Sequence, residues 1–424
     1  MGELDDAINN VRTWMEPVEV PTPMIIQPAS SKIVYQPKGV VLVVAPWNFP
    51  VYLAFSGLVA VLSAGNACVI KPSEITPKCS KIIEEIVLKY LDPRVVRVVH
   101  GGVAETTALL RVRWDHILYT GSGAVGRVVY QAASKFLTPV TLELGGKSPV
   151  YVDKTATLGV AANRILGTKL LNTGQVCIAP DYCLVHEAVA KDFIEALKIR
   201  VKNWLGENPQ KSPSFSRIIN SHHFDRIKRL LEDNHGGEVV IGGLSVADRA
   251  DRFIPPTIIV NPSPNSMVMQ EEIFGPVLPI LVVRDEDEAI KFVNARESPL
   301  ALYVFSEDST VQQKCIDHTL AGGSCINDCM FHGANTNLPF GGVGTSGLGA
   351  YHGKSGFDEF SHKRGILNKS TWIDPEVRYM PYKAENVDMM KKIVIGPLIP
   401  PNVKNALLLG GAVGVGIVMM KSML

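Results

Sequence analysis

Cysteine is scarce in this chain, with seven residues in 424, odd in number and irregularly spaced. That excludes a disulfide framework and points to a reducing compartment. Metal-ligand spacing is missing as well. Three residues separate Cys325 from Cys329, but no second CxxC or HxxxH pair exists to complete a zinc site, so no metal is expected. A surplus of either charge is also absent: 42 basic and 41 acidic residues are interleaved, for a formal net charge of +1. Nothing here sets up a field or a basic stripe for nucleic acid, and none is expected as a partner. No internal repeat or low-complexity tract interrupts the chain. The N-terminal "MGELDDAINNVRTWM" is acidic and helical in pattern, without the charged-then-apolar run of a signal peptide. It opens midway through an amphipathic segment, as if upstream helices were lacking.

What the chain does contain is core-forming residues. It is 46% hydrophobic and 20% charged, enough for two or three domains. From residue 39 strands and helices alternate. "GVVLVVAP" is a continuous apolar run, as in a strand buried on both faces. "PVYLAFSGLVAVLSAG" reads as a helix stopped by Gly65, and "ACVIKP" as a second strand. Thr76 and Pro77 suit the N-cap and first position of the helix "KCSKIIEEIVLKYL", and "VVRVVHG" and "DHILYTG" add two strands. Such alternation predicts a parallel sheet covered by helices. A second alternating block, 148–328, holds "SPVYVD", "VLPILVVRD", "LALYVFSED" and "GSCIND". The fold expected is α/β, two such domains, followed by the glycine-rich run "PFGGVGTSGLGAYHGKSGF" at 339–357.

The C-terminus differs. Ala406 to Met420 is a run of fifteen apolar or glycine residues between Lys404 and Lys421, with Gly410 and Gly414 on one small-residue face. A full span needs about 20 residues. The upstream "IVIGPLIPP" adds apolar length, so a membrane anchor at about 404–421 is expected, a buried core helix being the other reading.

Several short motifs could carry chemistry. In "YTGSGAVGR", Gly121, Gly123 and Gly126 spell G-x-G-x-x-G between a strand and a helix, the arrangement that brings backbone N–H groups to a phosphate. Ser122, Ala124 and Val125 complete that loop. The acidic partner some 20 residues on is not in strand context; Glu143 stands there instead. Asn48 in "VVAPWNFP" lies past a strand between two aromatics, either an oxyanion donor or a turn residue satisfying its own backbone. Lys71 and Glu74 in "VIKPSE" sit at the carboxyl end of a strand, where open α/β sheets bind ligands. Glu143 in "TLELGGKSP" is a desolvated general base or the partner of Lys147. Glu272 and Phe274 in "MQEEIFGPVLPI" precede a Gly-Pro turn. In "LLNTGQVCIAPDYC", Cys177 and Cys183 are each either a reactive thiol or a small buried hydrophobe.

Taken in order, PWNFP, IKPSE, YTGS-AVG, LELGGKSP, N-GQ-C-APDY, EEIFGP and PFGG-G-SG-G-YHG resemble the NAD(P)-dependent aldehyde dehydrogenases over residues 30–365. The stretches around "APDY" and "GVGTSGLGAYHGK" are most similar to the class 3 branch and its membrane-tailed fatty aldehyde dehydrogenases. The resemblance implies a Rossmann-like cofactor domain at 39–141, a catalytic domain at 142–340, a β-strand oligomerisation arm at 17–38 and 341–364, and a tail from 365. It implies Cys177 as nucleophile, Glu143 as general base thirty-four residues earlier, and Asn48 as oxyanion donor. Lys71, Glu74, Gly121, Ser122, Gly123, Ala124, Val125 and Gly126 would hold NAD, or NADP, with Glu272 and Phe274 on its nicotinamide side. Gly123 departs from the small hydroxyl residue usual in the family's loop. Cys183 matches no functional position.

The activity implied is oxidation of a medium- or long-chain aliphatic aldehyde to its acid. A homodimer is implied, and a membrane-associated enzyme facing the cytosol, with endoplasmic reticulum, peroxisome and mitochondrial outer membrane all open. Two other readings use the same residues differently: a coenzyme A-acylating or ester-hydrolysing thiol enzyme, and a truncated, non-catalytic interaction protein on a membrane.

Overall fold

A computed structural model describes residues 2–395. Two compact units divide them: residues 2–16 with Tyr35–Lys363, and Pro17–Val34 with residues 364–395.

The larger unit is built on two sheets. In the first, four of the apolar runs read above become the parallel strands Val40–Val44, Ala67–Lys71, Val96–Val98 and His116–Thr120, and Val140–Glu143 joins them. Val41, Leu42, Val43 and Ile70 are almost fully buried, as a sheet covered on both faces requires. Chain order reverses beside Val40–Val44, since the next two strands lie on one side of it and His116–Thr120 and Val140–Glu143 on the other. Such a switch opens a crevice at the carboxyl ends of the strands. Asn48, Lys71, Gly121 and Glu143 all lie at or just past those ends.

The second sheet has seven strands, in the order Glu238–Ile241, Thr257–Val260, Val277–Val283, Tyr182–His186, Pro149–Val152, Ala301–Phe305 and Gly323–Ile326. All neighbours are parallel except the first pair. Lys147, Cys177 and Glu272 sit just ahead of its strands, at their amino ends.

Three expectations change. Strand Val140–Glu143 belongs wholly to the first sheet, and Gly347–Leu348 pairs antiparallel on its outer edge, so this part of 341–364 lies with the cofactor-side sheet. A side chain at Gly347 would fall 2.4 Å from the Leu142 carbonyl, and glycine lets the chain fold back this closely. Val18–Val20, Ala29–Pro37 and Ser361–Lys369 form a three-stranded sheet. Helix Pro77–Tyr90 begins where expected, but the Thr76 hydroxyl donates to the Ser73 carbonyl at 3.4 Å instead of capping the helix. The anchor expected at 404–421 lies outside the described residues. Among the described residues no helix is long and apolar enough to cross a membrane.

One buried polar residue ties the first sheet together. Asn66, 2% exposed, accepts from the Gly39 N–H at 2.8 Å and donates to the carbonyls of Val61 at 3.2 Å and Phe360 at 3.0 Å. Removing it leaves the Gly39 N–H and the Phe360 carbonyl without this partner, while the Val61 carbonyl keeps the Asn66 N–H, at about 1–3 kcal/mol for each group left unpaired. Asn66→Ala is therefore expected to lower the urea midpoint by the equivalent of about 2–4 kcal/mol with an unchanged m-value. A midpoint at the wild-type value would contradict this role.

Candidate active site

Cys177 follows an unusual turn. Asn172, Thr173 and Gly174 have φ of 48°, 56° and 75°, three successive left-handed residues. Such a run is unfavourable for a β-branched threonine and has to be held from outside. The holding is visible. The Asn172 amide donates to the carbonyls of Asn48 at 3.0 Å and Gln175 at 3.3 Å, and Asn48 Nδ2 donates to the same Gln175 carbonyl at 3.2 Å. Gln175 in turn donates to the carbonyls of Asn172 at 2.9 Å and Arg217 at 3.1 Å and accepts from the Ile219 N–H at 2.9 Å. Asn48 keeps one amide proton free of this set. A side chain at Gly174 would meet the Gly275 carbonyl at 2.2 Å, so the cysteine turn and the "EEIFGP" turn interlock.

The second turn is clamped equally firmly. The ammonium of Lys147 pairs with Asp181 and donates to the carbonyls of Val268 at 2.8 Å and Glu271 at 2.9 Å. Asp181 accepts from the Ile273 N–H at 2.9 Å, and Arg226 donates to the carbonyls of Glu272, at 2.9 Å, and Ile273. Phe274, held at φ 48°, meets Trp47 edge to face at 5.4 Å, and Trp47 also lies 4.9 Å from His223. The alternative partner for Glu143 is thereby ruled out: Lys147 is committed to Asp181.

Three ionisable groups converge here. Cys177 is partly exposed, whereas Glu143 is 2% exposed and neither of its oxygens has a hydrogen-bond partner. Burial raises the Glu143 carboxyl well above the ordinary range, with the Glu359 charge adding to it. Glu272 lies against the glycines of "LELGG", a Cβ at Gly145 falling 2.0 Å from its Oε2; burial and then Asp181 push it up to about 8. Burial, then Glu272, then Glu143 push the Cys177 thiol up to about 12. Cys183 is fully buried inside its strand.

The cofactor loop keeps the expected form. Ser122 Oγ accepts from the Val125 N–H at 3.4 Å at the start of helix Gly123–Ser134, leaving the first helical N–H groups outward. Gly126 packs on the next strand, where a Cβ would lie 2.6 Å from Leu144. Ser122, Gly123, Gly145, Gly146 and Glu272 share the wall of an open cleft of about 1260 Å³. The backbone N–H groups at the helix start and the bare glycines beside Glu272 are the kind of lining a dinucleotide needs. Lys71, 5% exposed, pairs with Glu74 at 2.7 Å at the neighbouring strand end, off this cleft.

Sequence reasoning missed Asn172, Gln175, Asp181, Arg226 and Lys169. Asn172 and Gln175 were adjacent to Cys177 in plain view. Arg226 lies on a surface-type helix, Ser221–Glu232, and no local signal marks it. Lys169 is 1% exposed with no hydrogen-bond partner among the described residues, its ammonium lowered to about 8 by burial.

The aldehyde dehydrogenase family model matches residues 1–366. The 4,4'-diaponeurosporen-aldehyde dehydrogenase of Staphylococcus aureus is 45% identical over 379 residues, 89% of this chain and 82% of that protein. Aldehyde dehydrogenase family 3 member A2 of Rattus norvegicus is 46% identical over 393 residues, 92% and 80% of the two chains. The solved substrate-bound state of Staphylococcus aureus AldH superposes with a TM-score of 0.87 at 43% identity, over 92% of this chain and 84% of that one.

A thiol raised this far stays protonated at neutral pH in the free protein. Alkylation of Cys177 by iodoacetamide without cofactor is therefore expected to climb about tenfold per pH unit up to at least pH 10. A plateau near pH 8.5 in a Cys177-specific mass-spectrometric assay would show an unperturbed thiol instead.

Proposed function

The chain belongs to the aldehyde dehydrogenase family, and from there we propose that it oxidises medium- to long-chain aliphatic aldehydes through a Cys177 thiohemiacetal and thioester. It is an NAD(P)-dependent aldehyde dehydrogenase. The observation that carries the mechanism is the convergence of a partly exposed thiol with a buried, unpartnered carboxylate.

Each residue has a derivable task. As Cys177 attacks the carbonyl carbon, its proton passes to a neighbouring carboxylate, because the thiolate is the nucleophile and the resting group is the thiol. The oxyanion that forms is met by the free amide proton of Asn48, a donor already oriented by its bond to Gln175. One such donor contributes about 100-fold or more in rate. The Gly121–Gly126 loop with Glu272 and Phe274, and with Lys71 and Glu74 at the end of strand Ala67–Lys71, would hold NAD(P)+, which would supply the hydride acceptor needed to turn the Cys177 adduct into a thioester. Glu143 then takes a proton from water, whose oxygen attacks the thioester; acid leaves and the Cys177 thiol is restored. A base already in place favours water over coenzyme A as acyl acceptor.

Substrate class rests on two supports: a relative named for 4,4'-diaponeurosporen-aldehyde, and the apolar run at 404–421, which would keep the enzyme where apolar aldehydes partition. In the same reading the outer strands Val18–Val20 and Ser361–Lys369 of the three-stranded sheet offer edges for a second copy, and the tail holds the enzyme on a membrane. Comparing hexanal with hexadecanal, each with NAD and with NADP, tests the substrate and cofactor preference; no preference for the longer aldehyde would refute the chain-length assignment.

One observation favours a second base. Glu272 acts more strongly than Glu143 on the Cys177 thiol, so it is placed to take the thiol proton.

Cys177→Ser is expected to abolish NADH formation. Glu143→Gln is expected to keep a burst of about one NADH per site and to lose about 100-fold in steady-state turnover. Wild-type turnover in Glu143→Gln would remove Glu143 from the mechanism and leave Glu272 as the base. The same variant reads stability. An acid raised in the fold is ionised in the unfolded chain above about pH 4.5, so its burial costs stability there and the cost vanishes at lower pH. Glu143→Gln should therefore raise Tm by a few degrees at pH 8 and leave it unchanged near pH 4.

A further inference from the structure

A chain of hydrogen bonds runs beneath Glu143 and has no part in the steps above. Thr141 precedes Glu143 by two residues on the same strand, so both side chains project from one face, about 7 Å apart. Thr141 Oγ1 donates to Glu359 Oε1 at 2.7 Å. His116 Nε2 lies 2.7 Å from the same hydroxyl, and the ammonium of Lys38 lies 3.1 Å from His116 Nδ1. Lys38 also donates to the Glu359 carbonyl.

The direction of this chain follows from counting protons. Threonine has one hydroxyl proton, and Glu359 receives it; His116 must then donate from Nε2, which leaves Nδ1 to accept from the Lys38 ammonium. Every bond points toward Glu359. Such an array holds the carboxylate at its end in one position. Burial, then the Lys38 charge, lower His116 to about 3, consistent with the neutral tautomer the chain requires. Glu359 is also pressed close to Glu143: a Cβ on Gly349 would fall 2.6 Å from Glu359 Oε1, and the adjoining Gly347 pairs with Glu143 itself.

We infer that Glu359 is a positioning residue for the hydrolytic step, a carboxylate fixed in place by the donor chain from Lys38 so that its charge faces Glu143 as that group takes a proton from water. This rests on the reading of Glu143 as general base. The charged or titratable groups facing Glu143 are Glu359 from helix Gly353–Glu359, Tyr351 from the segment before it, and Cys177 from the catalytic turn. Tyr351 is buried and stays neutral, and the Cys177 sulfur is acylated during hydrolysis. Glu359 is then the one neighbour of the three that carries charge at that step.

The test is the pH dependence of steady-state turnover, with the pre-steady-state NADH burst recorded in the same samples. Glu359→Gln keeps an acceptor for Thr141 and removes the charge. Its acid limb is expected to move down by about one pH unit, with turnover on the alkaline plateau reduced about 3- to 10-fold and the burst unchanged. Lys38→Met, which removes the first donor, should move the limb the same way by less, and Lys38→Arg should restore it. This pair carries the test if Glu359→Gln fails to fold. An acid limb at the wild-type position in folded Glu359→Gln, or loss of the burst there, overturns the inference. Glu143→Gln separates the two failures. If that variant stops hydrolysis while Glu359→Gln leaves the limb in place, Glu359 alone is misassigned; if it turns over normally, the underlying assignment of the base falls.

Discussion

The buried Lys147–Asp181 ion pair organises the site. Lys147 comes four residues after Glu143, and Asp181 four residues after Cys177. Their contact therefore ties the strand end that carries Glu143 to the turn that carries Cys177. Both partners are also spent on the backbone of 268–273, which fixes Glu272 and Phe274. A buried pair of this kind does not by itself stabilise a fold greatly, but losing one partner costs about 3–5 kcal/mol because the other charge is left behind. That asymmetry makes the geometry of three segments of the candidate site depend on one contact.

Around this fixed frame lie groups that the fold stabilises poorly. The Glu143 carboxyl has no hydrogen-bond partner among the described residues, Glu272 sits on bare glycine backbone, and the charges of both act on the Cys177 thiol. In water each would ionise readily; here burial opposes it. Proton affinities raised in this way bring the carboxylates toward the range in which they can take protons from a thiol and from water. The strained turn Asn172–Gly174 belongs to the same pattern, a local cost met by the Asn48–Asn172–Gln175 network.

Much of the site was legible before folding, since its residues lie in short segments that carry their own local signals. The apolar runs marked strands, and "GSGAVG" marked a loop before a helix, because those structures are dictated by backbone and burial within ten residues. Arg226 and Lys169 carried no such signal: one lies on an amphipathic helix, the other one turn before the cysteine, and only packing turns them inward. Glu359 was hidden the same way. It reads as one acid in "GFDEF", and its link to Thr141 spans 218 residues.

The sequence by itself determined the α/β class, most strand positions, the family resemblance and the choice of Cys177 over Cys183. These follow from periodicity, from turn chemistry and from seven motifs in order. The tertiary structure decided which charges meet. It gave Lys147 to Asp181 and not to Glu143, and it brought the charges of Glu272 and Glu143 near enough to Cys177 to raise its thiol. It also ran a donor chain to Glu359 and moved residues 347–348 onto the edge of the first sheet. Pairings of this kind depend on distances of a few ångströms between segments far apart in the chain, and no local pattern encodes such distances.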